Sequence, residues 1–336
     1  MTDPRKCIAD LISGYRKAKI LFVAASLDLF SCTAGDGLPA EAVSKRLGTD
    51  LRATRIFLDA LTGMGFLKRK NMAYRNSGLS DKFLVPGVKE YLGNNLCYQD
   101  IIWDAWGELG NVIKSGKTSF PLRRLLSKRK DFLEGYIKGM NNIAGRPAAE
   151  IAGKLDISGA EMMLDVGGGP GTYTVSLLNK EAGLKGRILD LRETLGVTRT
   201  IFAGHPLSGR VSFQEGDYHT ADFGREKYDL ILFSNVTHDE GLLENIRLLR
   251  KAFAAMRKGG QVVIHDFMLN NDMTTPVFSA LFSVHMLTYT DNGRVYSGNE
   301  YASWLREAGF VAIRKREICS KSDTPSKIIV GRKPLR

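Results

Sequence analysis

The chain has 336 residues, 43% of them hydrophobic, and its 48 Lys and Arg against 36 Asp and Glu give a net charge of +12. This length and apolar content predict two compact domains, each with its own core. The longest apolar run, residues 20–27, is too short to cross a membrane. The four cysteines form no CxxC pair and show no metal-ligand spacing, and no secretory leader is recognisable. We therefore expect a reduced, cytoplasmic protein without a metal.

The first 90 residues are predicted to be mainly helical and to end in a basic hairpin. The expected elements are helices over residues 20–30, 39–47 and 51–67, and a hairpin over 68–76 that turns near Asn71. This order is typical of a helix-turn-helix with a wing. Residues 91–150 follow as a helical connector rich in aromatic side chains.

From residue 151 onward, strands and helices alternate. Strands are expected over residues 162–166, 187–190, 211–215, 228–233, 261–266, 310–317 and 327–332. The alternation predicts an α/β fold, a doubly wound and mostly parallel sheet with helices on both faces. Ligands of such sheets bind at the carboxyl ends of the strands, where Asp165, Asp190, Asp217 and Asn235 fall.

A glycine-rich turn joins the first of these strands to a helix. Residues 161–174 read EMMLDVGGGPGTYT, so Asp165 precedes Gly167, Gly169 and Gly171. Such a turn lets a ligand approach the backbone at a helix N-terminus. A dinucleotide fingerprint is excluded because Thr172 stands at the position of its last glycine. A P-loop is excluded because its lysine follows directly after the last glycine, and no lysine lies between Gly167 and Leu178. The acid at the mouth of the turn suits a cationic amine or a sulfonium.

Two further carboxylates follow the next two strands. Residues 186–191 read GRILDL and predict a strand that ends at Asp190, about 20 residues past the glycines, where an acid accepts from ribose hydroxyls. Asp217 ends VSFQEGD and is followed by Tyr218. This pair is suited to an exocyclic amine and to stacking on an adenine ring.

The motifs LDVGGGPGT, LDL, EGDY and FSNVTHDE, in this order, resemble those of the S-adenosylmethionine-dependent small-molecule O-methyltransferases. The resemblance is to the two-domain, dimeric kind found in plant phenolic and bacterial natural-product pathways. It implies a class I methyltransferase fold over residues 151–336, a winged-helix dimerisation domain over 1–90, and a connector or substrate lid over 91–150. It also implies a homodimer that uses S-adenosylmethionine, releases S-adenosylhomocysteine and binds a small-molecule substrate without a metal.

The same resemblance assigns residues to the cofactor. Those expected to bind it are Asp165, Gly167, Gly169, Gly171, Asp190, Leu191, Gly216, Asp217, Tyr218, Ser234 and Asn235. Asp165 and the glycines are expected to bind the methionine end of the cofactor. Asp190 is expected to bind the ribose, and Asp217 and Tyr218 are expected to bind the adenine.

His238 matches the general base of the family, and a histidine can take a hydroxyl proton near neutral pH. Asp266 matches the acid that orients this base, although it could instead cap the following loop. Met140 and Asn141 match a region near the transferred methyl. His285 and Met286 are expected to line the acceptor pocket, with plain helix packing as the alternative.

Two departures from the family pattern bear on the chemistry. Glu240 replaces the usual Trp after His-Asp, an aromatic that often lies near the adenine, and Val295 replaces a second orienting Glu of plant members. One acid would then hold the base, and a carbon, nitrogen or sulfur acceptor stays open. Of the other histidines, His205 and His219 are expected at the surface, and His265 is expected on the face opposite Asp266.

A DNA-binding regulator is the competing interpretation, because the winged helix accompanies a strongly basic chain. The helix that would read DNA offers only Arg52, Thr54 and Arg55 before it turns apolar. In the resembling family this module forms the dimer. We therefore expect no nucleic-acid or membrane partner, and the excess charge could attract an anionic substrate.

Overall fold

The computed structural model describes residues 4–128 and 130–335. The chain divides into two compact units, Met1–Trp103 and Asp104–Arg336. Over the described residues, no helix combines the length and hydrophobicity needed to cross a bilayer.

The first unit contains helices and a small sheet. Its helices are α1 (Pro4–Ser26), α2 (Leu29–Cys32), α3 (Ala40–Leu47), α4 (Leu51–Gly63), α5 (Gly78–Phe83) and α6 (Gly93–Ile101). Its strands are β1 (Leu38–Pro39), β2 (Leu67–Lys70) and β3 (Ala73–Asn76), paired antiparallel in the order β1-β3-β2. Helix α4 begins at Asp50, whose carboxylate accepts from the Ala53 N–H, a normal N-cap.

The helix-turn-helix and its hairpin wing are confirmed, with differences at the element ends. The first helix begins at Pro4 and not at residue 20, and the fourth ends at Gly63, before Leu67 enters strand β2. The turn of the hairpin places Asn71 and Met72 at positive φ. The unit closes around buried apolar side chains, among them Phe30, Leu58, Leu61 and Tyr74.

The second unit alternates helices and strands. The helices are α7 (Trp103–Gly107), which starts at the unit boundary, α8 (Leu109–Ser115), α9 (Leu122–Lys128), α10 (Lys130–Lys154), α11 (Thr172–Lys180), α12 (Arg192–Phe202), α13 (Leu242–Ala255), α14 (Val277–Tyr289) and α15 (Gly298–Glu307). The strands are β4 (Met162–Val166), β5 (Lys185–Asp190), β6 (Val211–Glu215), β7 (Tyr228–Ser234), β8 (Met256–Asp266), β9 (Val311–Ile318) and β10 (Ser326–Arg332). All seven predicted strands are confirmed, with end shifts of a few residues.

Within the described residues, the large sheet has seven strands in the order β6-β5-β4-β7-β8-β10-β9. Strands β4 to β8 pair in parallel, and β10 pairs antiparallel with both β8 and β9. Val166 lies opposite both Leu189 and Phe233, so the ends of β4, β5 and β7 are level. The strand order reverses beside β4, and in open α/β sheets this is where ligands bind.

The sheet is buried on both faces. Along β7, Ile231 and Phe233 pack into one apolar cluster, whereas Leu230 and Leu232 pack into the other. Alternate side chains of a strand point to opposite faces, so a continuous apolar run is what a sheet covered on both sides requires. The buried layers hold the carboxyl ends of the parallel strands at one edge.

The glycine turn between β4 and α11 generates a prediction about stability. Gly169 and Gly171 both have positive φ, 51° and 78°. A Cβ at Gly171 would lie 2.6 Å from Phe202 Cε2 and 2.9 Å from Ile188 Cδ1, whereas a Cβ at Gly169 meets nothing within 4 Å. Gly169→Ala should cost about 1–2 kcal/mol for the left-handed backbone alone. Gly171→Ala should cost about 1–3 kcal/mol more for the overpacking. Urea unfolding of both variants measures the difference, and equal losses would contradict it.

Candidate active site

A cavity opens at the carboxyl ends of the parallel strands. Most residues that the sequence analysis assigned to a cofactor line it: Asp165, Gly167, Gly169, Asp190, Leu191, Gly216, Asp217, Tyr218, Ser234 and Asn235. Gly171 does not belong to this lining and instead caps helix α11. The parallel register accounts for the grouping, because it brings the ends of β4 to β7 to one edge.

Asp165 is almost fully buried at the end of β4. Its Oδ2 accepts from Thr174 Oγ1 at 2.6 Å, and among the described residues no donor reaches its Oδ1. Burial raises the pKa of Asp165 to about 7, an effect that the Thr174 hydroxyl opposes and that the Asp190 charge adds to. A buried acceptor without a donor is costly, so this oxygen favours a cationic or N–H group in the cavity.

Asn235 offers a second such oxygen at the end of β7. Its Nδ2 donates to Tyr173 Oη at 3.3 Å, while its Oδ1 is buried and meets no donor in the part of the chain described. The residue has a φ of 55°, and its backbone N–H donates to His265 O at 3.0 Å. Asp165 and Asn235 thus bring two unsatisfied acceptors to one cavity.

Asp190 is held by backbone donors. Gly169 N–H donates to its Oδ2 at 2.9 Å, and Leu191 N–H donates to its Oδ1 at 2.7 Å. The carboxylate therefore has a fixed orientation at the cavity edge and also braces the glycine turn. Asp217, after β6, accepts from the His219 N–H at 2.9 Å.

An apolar wall completes the cavity. It consists of Leu122 and Leu126 from α9 and Tyr136, Ile137, Met140, Ile143 and Ala144 from α10. Of these, only Met140 was assigned from the sequence. The helical spacing of the α10 members was the available signal. Asn141 does not line this cavity, and its Oδ1 accepts from Thr172 Oγ1 at 2.6 Å.

His238 and Asp266 form a buried pair beside the cavity. His238 lies in a short 3₁₀ turn, Thr237–Asp239, after β7, and its Nδ1 is 2.8 Å from Asp266 Oδ1. Val236 and Asp239 flank His238 and line the cavity. In the neutral imidazole, Nδ1–H donates to the carboxylate, which leaves Nε2 as the basic nitrogen.

Asp266 ends β8 with no solvent exposure. Its Oδ2 accepts from Thr237 Oγ1 and from Tyr301 Oη, each at 2.8 Å, and its Oδ1 also accepts from Phe267 N–H at 2.7 Å. The carboxylate therefore both pairs with the histidine and caps the following loop. Burial acts to raise the pKa of Asp266, but His238 and these hydrogen bonds hold it below its ordinary value.

Burial also acts to lower the pKa of His238, but attraction to Asp266 and the hydrogen bond with it raise the value to about 9. Asp239, whose Oδ1 is 3.7 Å from Nε2, contributes in the same direction. The imidazole is therefore charged at neutral pH, and it becomes a base as the pH approaches 9.

Aromatic side chains surround this pair. The Phe282 ring meets the His238 ring edge-on at 5.0 Å, and it also contacts His285 at 5.3 Å. Trp106 Nε1–H donates to His285 Nδ1 at 3.1 Å. A nitrogen that accepts carries no proton, so His285 is neutral with its proton on Nε2. Burial and the nearby His238 lower the pKa of His285 to about 4, in agreement. Met286, its neighbour on α14, is buried.

His265 lies on β8 next to Asp266 and bonds elsewhere. Its Nδ1 is 2.9 Å from Ser234 Oγ, and its Nε2 is 2.9 Å from Ser326 Oγ. Burial lowers the pKa of His265 to about 4, so it is neutral. The chain of bonds crosses strands β7, β8 and β10.

The two departures from the family pattern are both buried. Val295 has no solvent exposure and, as an apolar residue, carries no charge. Glu240 Oε1 accepts from Tyr218 Oη at 2.6 Å and lies 3.0 Å from His219 Nε2. His219, expected at the surface, is partly exposed in its loop, with 30% of its side chain accessible. His205 is likewise partly exposed, and its Nδ1 accepts from a backbone N–H. Loop position alone did not indicate either contact.

No group of three or more His, Cys, Asp or Glu side chains arranged to hold a metal ion occurs among the described residues.

Comparison with known proteins identifies the family. An O-methyltransferase domain model matches residues 106–311, more than half of the chain, and an O-methyltransferase dimerisation domain model matches residues 9–86. The chain belongs to the O-methyltransferase family. It is an enzyme of that type, and methyl transfer to a hydroxyl is the reaction that the family performs.

Three relatives cover nearly all of the chain. The 3-hydroxy-5-methyl-1-naphthoate 3-O-methyltransferase of Streptomyces sahachiroi is 29% identical, covering 91% of this chain and 90% of that protein. The tetracenomycin polyketide synthesis 8-O-methyl transferase TcmO of Streptomyces glaucescens is 28% identical, covering 97% and 96%. PigF of Serratia sp., an S-adenosyl-L-methionine-dependent methyl transferase, is 27% identical, covering 99% and 97%. The structure of PigF with SAH superposes with a TM-score of 0.88 at 26% identity, covering 98% of this chain and 100% of that one.

The electrostatics of this O-methyltransferase predict an unusual set of histidine titrations. NMR of the imidazole C–H groups should show His238 titrating near pH 9, and His265 and His285 near pH 4. In Asp266→Asn, burial acts without the carboxylate, so the pKa of His238 should fall below about 6.5.

Asp239→Asn is the matched control, because Asp239 is the weaker of the two acids. A high pKa of His238 that survives Asp266→Asn and is lost in Asp239→Asn would reverse the assignment of the partner.

Proposed function

We propose that this chain transfers a methyl group from S-adenosylmethionine to a hydroxyl of an aromatic small molecule, with His238 as general base. The observation that carries this is the His238–Asp266 pair in the turn whose neighbours line the cavity. A base at this position can reach a hydroxyl next to a bound cofactor, and proximity supplies much of the rate of a displacement reaction.

Several features of the cavity support S-adenosylmethionine as its ligand. The unsatisfied Asp165 Oδ1 and Asn235 Oδ1 suit the ammonium and sulfonium of the methionine end. A Cβ at Gly168 would lie 2.9 Å from both Asp165 Cγ and Ile188 Cγ2, so only a glycine lets the turn pack this closely against the Asp165 carboxylate. Asp190 is proposed to accept from the ribose, and Asp217 and Tyr218 to hold the adenine. When bound, the cofactor supplies an electrophilic methyl group on sulfur.

The protein residues handle the proton. Asp266 fixes the His238 ring through Nδ1, so that Nε2 accepts the proton of the substrate hydroxyl. The imidazolium that forms is stabilised by the ionised carboxylate, which keeps its own charge because four donors hold it. One acid suffices for this geometry, in keeping with the buried Val295.

Aromatic side chains around His238 support a planar acceptor. Phe267, Phe278 and Phe282 contact one another at centroid distances between 4.8 and 6.0 Å. His285 carries its proton on Nε2 and can donate to an acceptor group on the substrate. Two relatives are named for naphthoate and tetracenomycin methylation, which favours a fused-ring phenol.

We also infer a homodimer. Residues 9–86 match the dimerisation domain of the family, and helix α1 exposes Ile8, Leu11, Ile12 and Tyr15 at helical spacing. A stripe of exposed apolar side chains favours a protein–protein contact. The cysteines are free thiols, in keeping with a reduced, cytoplasmic location.

The DNA-binding alternative finds no support at its would-be recognition helix. Thr54 is buried and bonds within the unit to Thr49 and to the Asp50 backbone, and Arg55 pairs with the Glu41 carboxylate. Two of the three polar side chains that would contact DNA are thus bonded within the protein. The roles of the unit in dimerisation and of residues 91–150 as a connector remain our proposal.

Replacing the base tests the mechanism. His238→Ala should lower kcat by about 10²–10⁴-fold, the usual contribution of a general base, with S-adenosylhomocysteine affinity unchanged. In the wild type, log kcat/KM should rise with pH and level off near pH 9, because the base is protonated below that value. His205→Ala serves as the control histidine. Full turnover by His238→Ala would indicate an acceptor that needs no base.

Replacing the ribose acid tests the cofactor site. Asp190→Ala should weaken S-adenosylhomocysteine binding by about 1–3 kcal/mol, because hydroxyl donors lose their acceptor and the glycine turn loses its brace. Calorimetric titration measures the effect. Asp156→Ala, at an exposed loop acid outside the cavity, should bind like the wild type. An unchanged dissociation constant in Asp190→Ala would refute the ribose assignment.

A further inference from the structure

Glu240 stands where the resembling family carries a tryptophan near the adenine, and its side chain is about 10% exposed. A buried carboxylate is costly without donors, so its position requires an explanation. Two side chains next to the proposed adenine site supply donors to it. Tyr218 Oη donates to Glu240 Oε1 at 2.6 Å, and His219 Nε2 lies 3.0 Å from the same oxygen.

The Tyr218 ring is held at both ends. Lys251 Nζ donates to the Tyr218 backbone oxygen at 2.7 Å and to the His219 backbone oxygen at 3.2 Å. The phenol is fixed by Glu240, and the neighbouring His219 ring packs 4.8 Å away. Tyr218 itself lines the cavity. Its ring therefore presents a fixed aromatic surface at the edge of the cofactor site.

The backbone of Glu240 is fixed as well. Its carbonyl oxygen accepts from Tyr296 Oη at 2.6 Å and from Asn245 Nδ2 at 3.2 Å. Because Glu240 follows directly after His238 and Asp239, one anchored turn carries both the base and the acid that holds Tyr218.

We propose that Glu240 is a positioning residue for the adenine end of the cofactor, acting through Tyr218. A short hydrogen bond to a carboxylate is stronger than one between neutral groups, and it orients the phenol before the cofactor arrives. A surface that is already ordered loses less entropy on binding. In this chain Glu240 thus orders the Tyr218 side chain of the preceding loop, whereas the resembling family commonly places a tryptophan at the position of Glu240. The proposal rests on the proposed cofactor site.

Calorimetric titration of the full-length protein with S-adenosylhomocysteine tests it. Glu240→Ala should raise the dissociation constant about 10-fold, and Tyr218→Phe, which removes only the hydroxyl, should raise it by a similar factor. The double variant should bind no more weakly than either single one, because both substitutions break one hydrogen bond. Glu240→Gln, which keeps an acceptor oxygen, should stay within about 3-fold of the wild type.

Glu244→Ala is the matched control, since Glu244 lies four residues further along, in the first turn of α13, and pairs only weakly, at 3.7 Å from Arg247. It should bind like the wild type. Additive losses in the double variant, or wild-type affinity in Glu240→Ala, would overturn the positioning role. Absence of binding by the wild type would instead overturn the cofactor site on which the proposal rests. Thermal unfolding of each variant separates lost folding from lost positioning, because a variant that is still folded at the titration temperature can lose affinity only through its altered site.

Discussion

The buried carboxylate of Asp266 is the constraint on which the rest of the active site depends. Four donors from three segments converge on it: His238 and Thr237 from the turn after β7, Phe267 from the following loop, and Tyr301 from α15. An ion buried without such partners would be strongly destabilising. These hydrogen bonds therefore tie the turn that carries His238 to the sheet and to a helix that is distant in sequence, and they fix the position of His238.

The carboxyl edge of the sheet carries two kinds of electrostatic environment side by side. At the ends of β4 and β7, Asp165 and Asn235 each hold an acceptor oxygen that no donor in the described part of the chain reaches, which favours a cationic ligand. At the end of β8, every oxygen of Asp266 is satisfied, which keeps its charge available to the histidine. Unsatisfied acceptors recruit a charged group, whereas satisfied ones stabilise a proton-transfer partner.

Hydrophobic periodicity and turn residues predicted the fold well, because a short apolar run followed by glycine or an acid is compatible with few structures other than a buried parallel strand. The grouping of the proposed cofactor residues at one edge follows from the parallel register once strands β4 to β7 are recognised. The role of His238 came from resemblance, since nothing local in the sequence pairs it with Asp266. Contacts such as those of Glu240 with Tyr218 and His219 depend on side-chain packing between segments some 20 residues apart. No sequence motif encodes these contacts. The start of α1 at Pro4 was not predicted, because much of the first half of this helix is exposed and lacks an apolar face that packs in the core.

Hydrogen bonds from Ser234 through His265 to Ser326 connect the last strand, β10, to the edge of the sheet that lines the cavity. Ser326 opens β10, and through the neutral His265 ring it reaches Ser234, the residue next to Asn235. The antiparallel end of the sheet is thus connected to the cavity by hydrogen bonds that run across the strands. A chain shortened before residue 326 would lose this support, so we expect removal of the antiparallel strands to loosen the cavity-lining end of β7.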